Sequence, residues 1–369
     1  MRMDVNRRIF VLGAAAGLAS AQSTDTTLTG MIGVGNRGSA LLRGVLAQPG
    51  VKVAAVCDIK PDRLDRAATA AARDNPAAYS DYRKILDRKD ITAVFIATPP
   101  YLHSEMAVAA LKAGKNIYCE KPIGVTPAQV RAVVEAARAS KTVFTAGQQM
   151  RSARTYQQAI AKIREGVIGE VIMVKAQRHA TNDIPHDGPS GDWYFDVNKG
   201  GGYLIEQSVH NLDLCNWAIG AHPVRACGFG GTLLYKNDPP GRTIFDCGSL
   251  TYEYPNGCKM SFTQNVFHPR GLPQGGQYAY VYGTKGAIDL MGGAPTMYPL
   301  GRGEPVELAP QEKLTNEAHI AAFYACVKSG GPNPANIEIG ATAALTSILG
   351  HEAMTKQKVV NWSDFGIKL

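Results

Sequence analysis

The residues best suited to acid–base chemistry lie in one short segment. Glu206, His210 and Asp213 follow one another at spacings of four and three residues, which would place them on one face of a helix. A histidine between two acids suits proton transfer, since the acids would orient the ring and raise its basicity. The same spacing also fits a solvated helix face or a hydrogen-bonded histidine in the core.

A second group of reactive side chains follows two apolar runs. Thr98, Pro99 and His103 come after one run, and Glu120 and Lys121 come after the next. Both places correspond to carboxyl ends of buried parallel strands, where ligands bind in such sheets, so these five residues are candidates for cofactor binding. A lysine desolvated there can have a pKa in a range useful for catalysis. Position alone is equally consistent with a plain surface turn.

A glycine-rich loop has the pattern G-x-G-x-x-G between a predicted strand and a predicted helix. Its candidate cofactor-binding residues are Gly33, Gly35, Asn36, Arg37 and Gly38. The glycines permit a tight turn and close approach of the backbone, while the helix N-terminus faces a pyrophosphate. The pattern therefore predicts a dinucleotide site, and the alternative is a glycine-rich turn that binds no ligand.

The residue that would select the nucleotide is Asp58, at the end of the next predicted strand. Its carboxylate would accept hydrogen bonds from the ribose hydroxyls and repel a 2′-phosphate. Arg37 could contact either the pyrophosphate or a 2′-phosphate. On balance the sequence favours NAD over NADP.

The N-terminus has the composition of an export signal. The adjacent Arg7 and Arg8 precede a weakly hydrophobic run, and residues 19–21 form an A-x-A cleavage site. Paired arginines are typical of the twin-arginine signal. We therefore expect residues 1–21 to be a signal peptide and the mature protein to be periplasmic, with a chance N-terminal helix as the alternative. Since little free nicotinamide cofactor is present outside the cell, export favours a tightly bound cofactor.

Composition limits the class of protein. With 369 residues, of which 45% are hydrophobic and 19% charged, the chain is long enough for two globular domains. The net charge of +8 is scattered, so we expect no nucleic-acid partner. No apolar run reaches about 18 residues, so we expect no insertion into a membrane. The seven cysteines form no C-x-x-C pair, which argues against zinc and iron–sulfur sites.

The order of the predicted elements defines an α/β protein with two domains. Strands alternate with helices over residues 22–150, which predicts a doubly wound parallel sheet of the Rossmann type. The order then changes to a helix over 203–219 and hairpins over 249–266 and 278–290. We therefore expect residues 151–369 to form a C-terminal α/β domain with an open antiparallel sheet.

Together these motifs resemble the glucose–fructose oxidoreductase / inositol dehydrogenase (Gfo/Idh/MocA) family. The resemblance is carried by G-x-G-x-x-G, A-V-C-D, A-T-P-x-x-x-H, E-K-P and the glycine run that leads to x-x-H-x-x-D. It implies NAD(P)-dependent oxidation or reduction of a sugar or cyclitol hydroxyl, hence a small carbohydrate substrate. It also implies a C-terminal sheet that makes oligomer contacts, so we expect a homo-oligomer.

The resemblance implies particular roles as well. Lys121 matches the lysine that hydrogen-bonds the reacting hydroxyl, Glu120 the acid near the nicotinamide ribose, and His210 the proton acceptor. Glu206 occupies a position where the family more often has aspartate, and Ser208 one where glycine is common. These two departures affect the expected proton relay and substrate fit rather than the fold.

A loop that usually lines the sugar pocket in this family is rich in polar and aromatic groups. With two residues of the following helix, the candidates for substrate binding are Arg178, His179, Asp183, His186, Trp193, Tyr203 and Asp213. An aromatic ring can stack on a sugar face while polar groups bind hydroxyls. The spacing of the acids and histidines in this loop matches no standard ligand pattern, so we expect no metal.

The leading interpretation is hydride transfer between NAD and the carbon that bears a sugar or cyclitol hydroxyl. His210 would remove the hydroxyl proton and Lys121 would polarise the oxygen; Tyr203 is a candidate for proton steps only in the closed redox cycle described next. An exported enzyme with internally recycled NAD, either an NAD-dependent glycosidase or a sugar–sugar oxidoreductase, is the alternative. A non-catalytic sugar- or NAD-binding protein also stays open, because fold does not determine function.

Overall fold

The computed structural model describes residues 26–180, 192–273 and 276–369, and begins with a six-stranded parallel sheet. Its strands are β1 (Thr27–Ile32), β2 (Val51–Cys57), β3 (Ala77–Tyr79), β4 (Ala93–Ile96), β5 (Asn116–Cys119) and β6 (Phe144–Ala146). Their order is β3-β2-β1-β4-β5-β6, as in a Rossmann sheet. All four residues of β4 are buried, as expected of a strand covered on both faces. The predicted parallel sheet is confirmed.

Helices cover both faces of this sheet. They are α1 (Asn36–Leu46), α2 (Pro61–Ala70), α3 (Arg83–Asp87), α4 (Pro100–Lys112) and α5 (Pro127–Ala139). Proline at the first position of α2, α4 and α5 suits helix starts, because its missing N–H would have no partner there. These crossovers leave the carboxyl ends of the strands at one edge, where the candidate residues lie.

A nine-stranded mixed sheet forms the second part of the fold. Its strands are β7 (Val171–His179), β8 (Arg225–Gly231), β9 (Cys247–Glu253), β10 (Lys259–Asn265), β11 (Gly276–Gly283), β12 (Gly286–Asp289), β13 (Thr296–Pro299), β14 (Val306–Glu307) and β15 (Val360–Asn361). The order is β14-β13-β12-β11-β7-β10-β9-β8-β15. Both predicted hairpins, β9–β10 and β11–β12, are present. The sheet is mostly antiparallel, but β7 and β10 pair in parallel because a long connection separates them.

Further helices follow along the rest of the chain. They are α6 (Arg154–Arg164), α7 (Val197–Gly200), α8 (Tyr203–Glu206), α9 (Val209–Ile219), α10 (Asn316–Ser329) and α11 (Ile337–Lys356). The described part of the chain also contains four short 3₁₀ turns, at Ala72–Asp74, Gln149–Ser152, Asp192–Phe195 and Trp362–Phe365. Across the described ranges, no helix is long and apolar enough to span a membrane.

The prediction of a single helix over 203–219 is wrong. The amide of Ser208 donates to the carbonyl of Tyr203, five residues back, at 3.1 Å, and α8 ends before α9 begins. Such a π-type turn widens the helix and is frequent at functional sites. Glu206 and His210 therefore lie on either side of a widened turn, and not on successive turns of one regular helix.

Helix α10 returns from the C-terminal part of the chain to pack on the first sheet. The Tyr324 hydroxyl lies 2.8 Å from Thr29 Oγ1 in β1. The ring of Phe323 meets Phe95 of β4 edge-on, with centroids 5.2 Å apart. Ile320 is fully buried in the same cluster. The core of the Rossmann sheet thus includes residues far beyond position 150.

This docking predicts a specific loss of stability. Tyr324→Phe should lower the free energy of unfolding by about 1–2 kcal/mol, because the fully buried Thr29 hydroxyl loses its partner. Urea denaturation measures this loss, and Tyr298→Phe, at a half-exposed ring, is the control. In the double variant with Thr29→Val the two losses should be less than additive; full additivity would contradict the contact.

Candidate active site

The glycine-rich loop connects β1 to α1 in a conformation that requires glycine. Gly33 has φ +81°, and a Cβ on Gly38 would lie 1.9 Å from the Gly33 carbonyl oxygen. Gly35, at the N-cap of α1, makes no side-chain capping hydrogen bond. The first amides of α1, including that of Asn36, are therefore left to a ligand, which fits the pyrophosphate of a dinucleotide.

Asp58 directly follows β2 beside this loop. Its two carboxylate oxygens accept hydrogen bonds from the amides of Val34, at 2.9 Å, and Lys60, at 3.0 Å. Each oxygen keeps a further acceptor position for a ribose hydroxyl. Arg63 also reaches the loop, with Nη1 3.1 Å from where a Gly35 Cβ would stand. No motif marks Arg63, so sequence analysis missed it.

Arg37 connects the loop to two other parts of the chain. Its Nε donates to Glu120 Oε1 at 2.6 Å, and Nη1 donates to Asn316 Oδ1 of α10 at 2.8 Å. Burial opposes ionisation of Glu120, but the positive charges of Arg37 and Lys121 outweigh it and lower the pKa of Glu120. The contacts of Arg37 in this structure are therefore with a carboxylate and an amide, both within the protein.

His103 joins the segments that follow β4 and β5. Its ring nitrogens lie 2.7 Å from the Pro122 carbonyl oxygen and 2.8 Å from that of Thr98. Burial lowers the pKa of His103, although both carbonyl contacts favour the charged ring. Pro99 belongs to the first of these segments and is the N-cap of α4. His103 therefore holds the backbone next to Lys121 in place.

Lys121 reaches from the first sheet to the second part of the fold. Its Nζ donates to Glu206 Oε1 at 2.7 Å and to the Glu206 carbonyl oxygen at 2.5 Å. Gln207 also donates to the Glu206 carboxylate, and Arg178 Nη2 donates to Gln207 Oε1 at 2.9 Å. Since an ammonium has three N–H groups, one of those on Lys121 stays available for a ligand.

His210, on the first turn of α9, lies near Lys121 and Arg178. Its Nδ1 is 3.2 Å from Gln148 Oε1, and Nε2 makes no hydrogen bond within the described residues. Burial, followed by the charges of Lys121 and Arg178, lowers the pKa of His210 well below its ordinary value. The ring is therefore neutral, with its proton on Nδ1 facing the amide oxygen and an open acceptor at Nε2.

These contacts contradict the expectation that two acids orient His210 and raise its basicity. Neither Glu206 nor Asp213 orients His210, because Glu206 is held by Lys121 while Gln148 holds the ring. The basicity of the ring is lowered instead of raised. Sequence analysis missed Gln148, although it follows predicted strand β6 and so occupies the same edge as the other candidates.

Asp213 does not line the site. It is buried, and Arg151 donates to its two oxygens from Nε at 2.9 Å and Nη2 at 2.8 Å. The guanidinium of Arg151 also lies over the Trp217 ring, 4.7 Å from its centroid. Both carboxylate oxygens are therefore engaged inside the protein, and the interpretation of Asp213 as a substrate-binding residue is wrong.

The structure places the other substrate candidates in different surroundings. Tyr203 is buried against Arg178, and burial raises the pKa of its hydroxyl. His179 lies on the opposite face of β7 from Arg178, with Nε2 3.0 Å from Thr263 Oγ1. Trp193 is half-buried, with its ring edge-on to Tyr194. Asp183 and His186, like residues 1–21, lie outside the described residues.

Tyr194 and Gln207 are two further residues of this site that sequence analysis missed. Burial and then the negative charge of Glu206 raise the pKa of Tyr194 well above its ordinary value, so its hydroxyl lies within the electrostatic influence of Glu206. Gln207 connects Glu206 to Arg178. Neither type of residue stands out by spacing. Among the described residues, no three His, Cys, Asp or Glu side chains are placed to hold a metal ion.

Comparison with known proteins identifies the family. Residues 28–148 match the model of the oxidoreductase family with an NAD-binding Rossmann fold. Residues 156–289 match the GFO/IDH/MocA C-terminal domain. The chain therefore belongs to the Gfo/Idh/MocA oxidoreductase family, and the resemblance inferred from its motifs is confirmed.

Individual relatives have different activities. The chain is 28% identical over 269 residues to 2,7-anhydro-N-acetylneuraminate hydratase of Mediterraneibacter gnavus, a match that covers 70% of this chain and 66% of the hydratase. It is 31% identical over 196 residues to inositol 2-dehydrogenase of Salmonella paratyphi B, covering 53% of this chain and 55% of that enzyme. The chain thus spans between about half and two thirds of these relatives.

A solved structure with the same fold is levoglucosan dehydrogenase in complex with NADH. The TM-score is 0.78 at 22% identity, and the match covers 91% of this chain and 98% of that chain. At this identity the likeness shows the fold alone. It extends over both the parallel and the mixed sheet.

The environment of His210 predicts its titration. In an NMR titration its ring should stay neutral at pH 6.5, since its pKa lies below the ordinary value of about 6.5. Gln148→Glu should raise that pKa, because a carboxylate beside Nδ1 stabilises the imidazolium. Gln148→Met, which removes the amide without adding charge, is the control. A histidine that titrates normally in the wild type would refute the assigned environment.

Proposed function

We propose that the protein is an NAD-dependent oxidoreductase that transfers a hydride to or from the carbon of a sugar or cyclitol hydroxyl. The observation that carries this proposal is the neutral His210 with an open Nε2, close to Lys121 and at the same sheet edge as the glycine loop. A protein that only binds NAD or sugar needs no such proton acceptor. The inositol 2-dehydrogenase among its relatives supports this class of substrate.

The residues of the chain supply the proton chemistry. A bound nicotinamide supplies the hydride acceptor for oxidation or the donor for reduction. During oxidation, His210 Nε2 takes the hydroxyl proton while Gln148 keeps the other ring nitrogen protonated. The remaining N–H of Lys121 donates to the reacting oxygen and stabilises the negative charge that develops there. Glu206 holds the ammonium in place by its carboxylate and its carbonyl oxygen.

The catalytic roles predict the effect of two substitutions. His210→Ala should lower kcat by about 10²–10⁴-fold, the usual loss on removing a general base. Lys121→Ala should cause a loss of similar order, and NAD affinity should be retained in both variants because the glycine loop is intact. Absorbance of NADH measures turnover, and calorimetry measures NAD binding.

Lys162→Ala is a matched control, since this lysine is exposed on α6 and its ammonium pairs with Glu165 alone among the described side chains. It should leave both kcat and NAD affinity unchanged. Near-native turnover in His210→Ala and Lys121→Ala would mean that the roles are wrongly assigned.

We infer a preference for NAD over NADP from Asp58. Its carboxylate stands beside the glycine loop and would repel a 2′-phosphate. Arg37, the residue that could instead bind such a phosphate, is engaged by Glu120 and Asn316. Calorimetric titration should give a lower Kd for NAD than for NADP, and the reverse order would overturn the inference.

A closed redox cycle is the second candidate function, and the hydratase among the relatives favours it. In such a cycle a ring hydroxyl is oxidised transiently, which acidifies the neighbouring C–H bond. The leaving group is eliminated, water adds, and the carbonyl is reduced again. The cycle also suits the proposed export, because an enzyme that recycles its own NAD needs no supply of cofactor outside the cell. A sugar–sugar oxidoreductase would recycle NAD in the same sense.

The two candidate functions make different predictions for protein purified without added cofactor. For a glycosidase, aryl glycosides should release aglycone over many turnovers, with solvent deuterium appearing beside the oxidised carbon. For a simple dehydrogenase, turnover should depend on added NAD, and keto-sugar should accumulate. Mass spectrometry of the products separates these outcomes, and the second outcome excludes the cycle.

Export and assembly are further proposals. The paired Arg7 and Arg8 support cleavage after residue 21, which intact-mass measurement of the periplasmic protein would test.

The outer face of the mixed sheet exposes Met173 and Phe229, by 44% and 70%, which supports a homo-oligomer formed through this sheet. A monomeric mass by light scattering would exclude that assembly.

A further inference from the structure

The positive charges around the site are mostly balanced by carboxylates. Arg37 pairs with Glu120 at 2.6 Å, and Lys121 pairs with Glu206 at 2.7 Å. Farther from His210, Arg151 is also balanced by a carboxylate, since it forms a bidentate ion pair with Asp213. Each of these cations therefore has a built-in counter-charge.

Arg178 differs from these three cations. Its polar contacts within the described residues are with Gln207, which accepts from Nη2 at 2.9 Å, and with the hydroxyl of Tyr203. Both partners are uncharged, and no carboxylate of the described chain forms an ion pair with Arg178. The nearby Glu206 carboxylate is already engaged by Lys121 and Gln207.

Two glutamines flank Arg178 on the inner face of the mixed sheet. Gln264 of β10 and Gln277 of β11 are both in register with Arg178 and share its face. The Oε1 atoms of both glutamines are buried and have no hydrogen-bond partner among the residues that the structure describes. Gln264 is only 3% exposed as a whole. Buried polar atoms without a partner are unusual and point to a missing ligand or water.

We propose that this site takes a substrate with a carboxylate, such as a uronic acid or another sugar acid, and that Arg178 binds that carboxylate. A guanidinium binds a carboxylate through paired, charge-assisted hydrogen bonds, which would supply the counter-charge that Arg178 lacks. The open oxygens of Gln264 and Gln277 would accept hydrogen bonds from hydroxyls of the same sugar. The inference rests on the proposed function only in that the ligand is a carbohydrate.

Calorimetry with matched sugars tests this without turnover. The NAD-loaded full mature chain is titrated with D-glucose and D-glucuronate, D-galactose and D-galacturonate, and D-mannose and D-mannuronate. At least one uronate should bind about tenfold or more tightly than its neutral partner, as expected for a hydrogen bond to a charged group. If no uronate binds, or if the neutral sugars bind equally well, the proposal is overturned.

Substitutions then assign the effect to Arg178. Arg178→Gln should weaken uronate binding by about 10- to 100-fold and weaken binding of the matched neutral sugar much less, whereas Arg178→Lys should keep part of the preference. Lys175→Gln removes a positive charge from the outer face of the same strand. It should change neither uronate binding nor neutral-sugar binding. A uronate preference that survives in Arg178→Gln refutes the assignment.

Two readouts keep the test informative. If Arg178→Gln does not fold, as judged by thermal unfolding, Arg178→Lys and the selectivity of the wild type decide the question. Hydride transfer is read separately from NADH absorbance. Binding of uronates with no NADH formed from any sugar tested would contradict the proposed net dehydrogenase and support this inference, whereas oxidation of neutral sugars without uronate preference would do the opposite.

Discussion

The ion pair between Lys121 and Glu206 joins the two halves of the protein at the point where chemistry would occur. Lys121 follows a strand of the parallel sheet, and Glu206 ends a short helix that leads to the mixed sheet. Both side chains are only 12% exposed. Such a pair adds little net stability, because desolvation offsets attraction, but removing one partner is costly. The geometry of the cleft therefore depends on both partners being present.

This pair also determines the protonation state of its surroundings. Because Glu206 is committed to Lys121, no carboxylate is left to stabilise a charged His210, and burial with the nearby cations keeps that ring neutral. Gln148 then selects the tautomer without adding charge. A histidine oriented by an acid has a carboxylate beside its ring, whereas His210 has an uncharged amide there. Its consequence is a weaker base that stays available at lower pH.

The fold was predictable where the signal is local. The continuous apolar run at β4 and the turn between β9 and β10 each depend on a few neighbouring residues, and both elements are present. The break after Glu206 was not predictable, because the apolar periodicity continues through it and only a backbone hydrogen bond to Tyr203 reveals the widened turn. The return of α10 to the first sheet likewise depends on contacts such as Tyr324 with Thr29, 295 positions apart.

The sequence by itself determined which residues stand at strand ends, because strand, turn and helix follow from residue type and local spacing. The glycine loop, Asp58 and Lys121 all belong to this class. The tertiary structure alone decided the partner of each polar group: Glu206 for Lys121, 85 positions away, and Gln148 for His210, 62 positions away. Asp213 lies three residues from His210, yet it pairs with Arg151. Hydrogen bonds act over about 3 Å, so the packing of the two sheets selects these partners, and spacing along the chain does not.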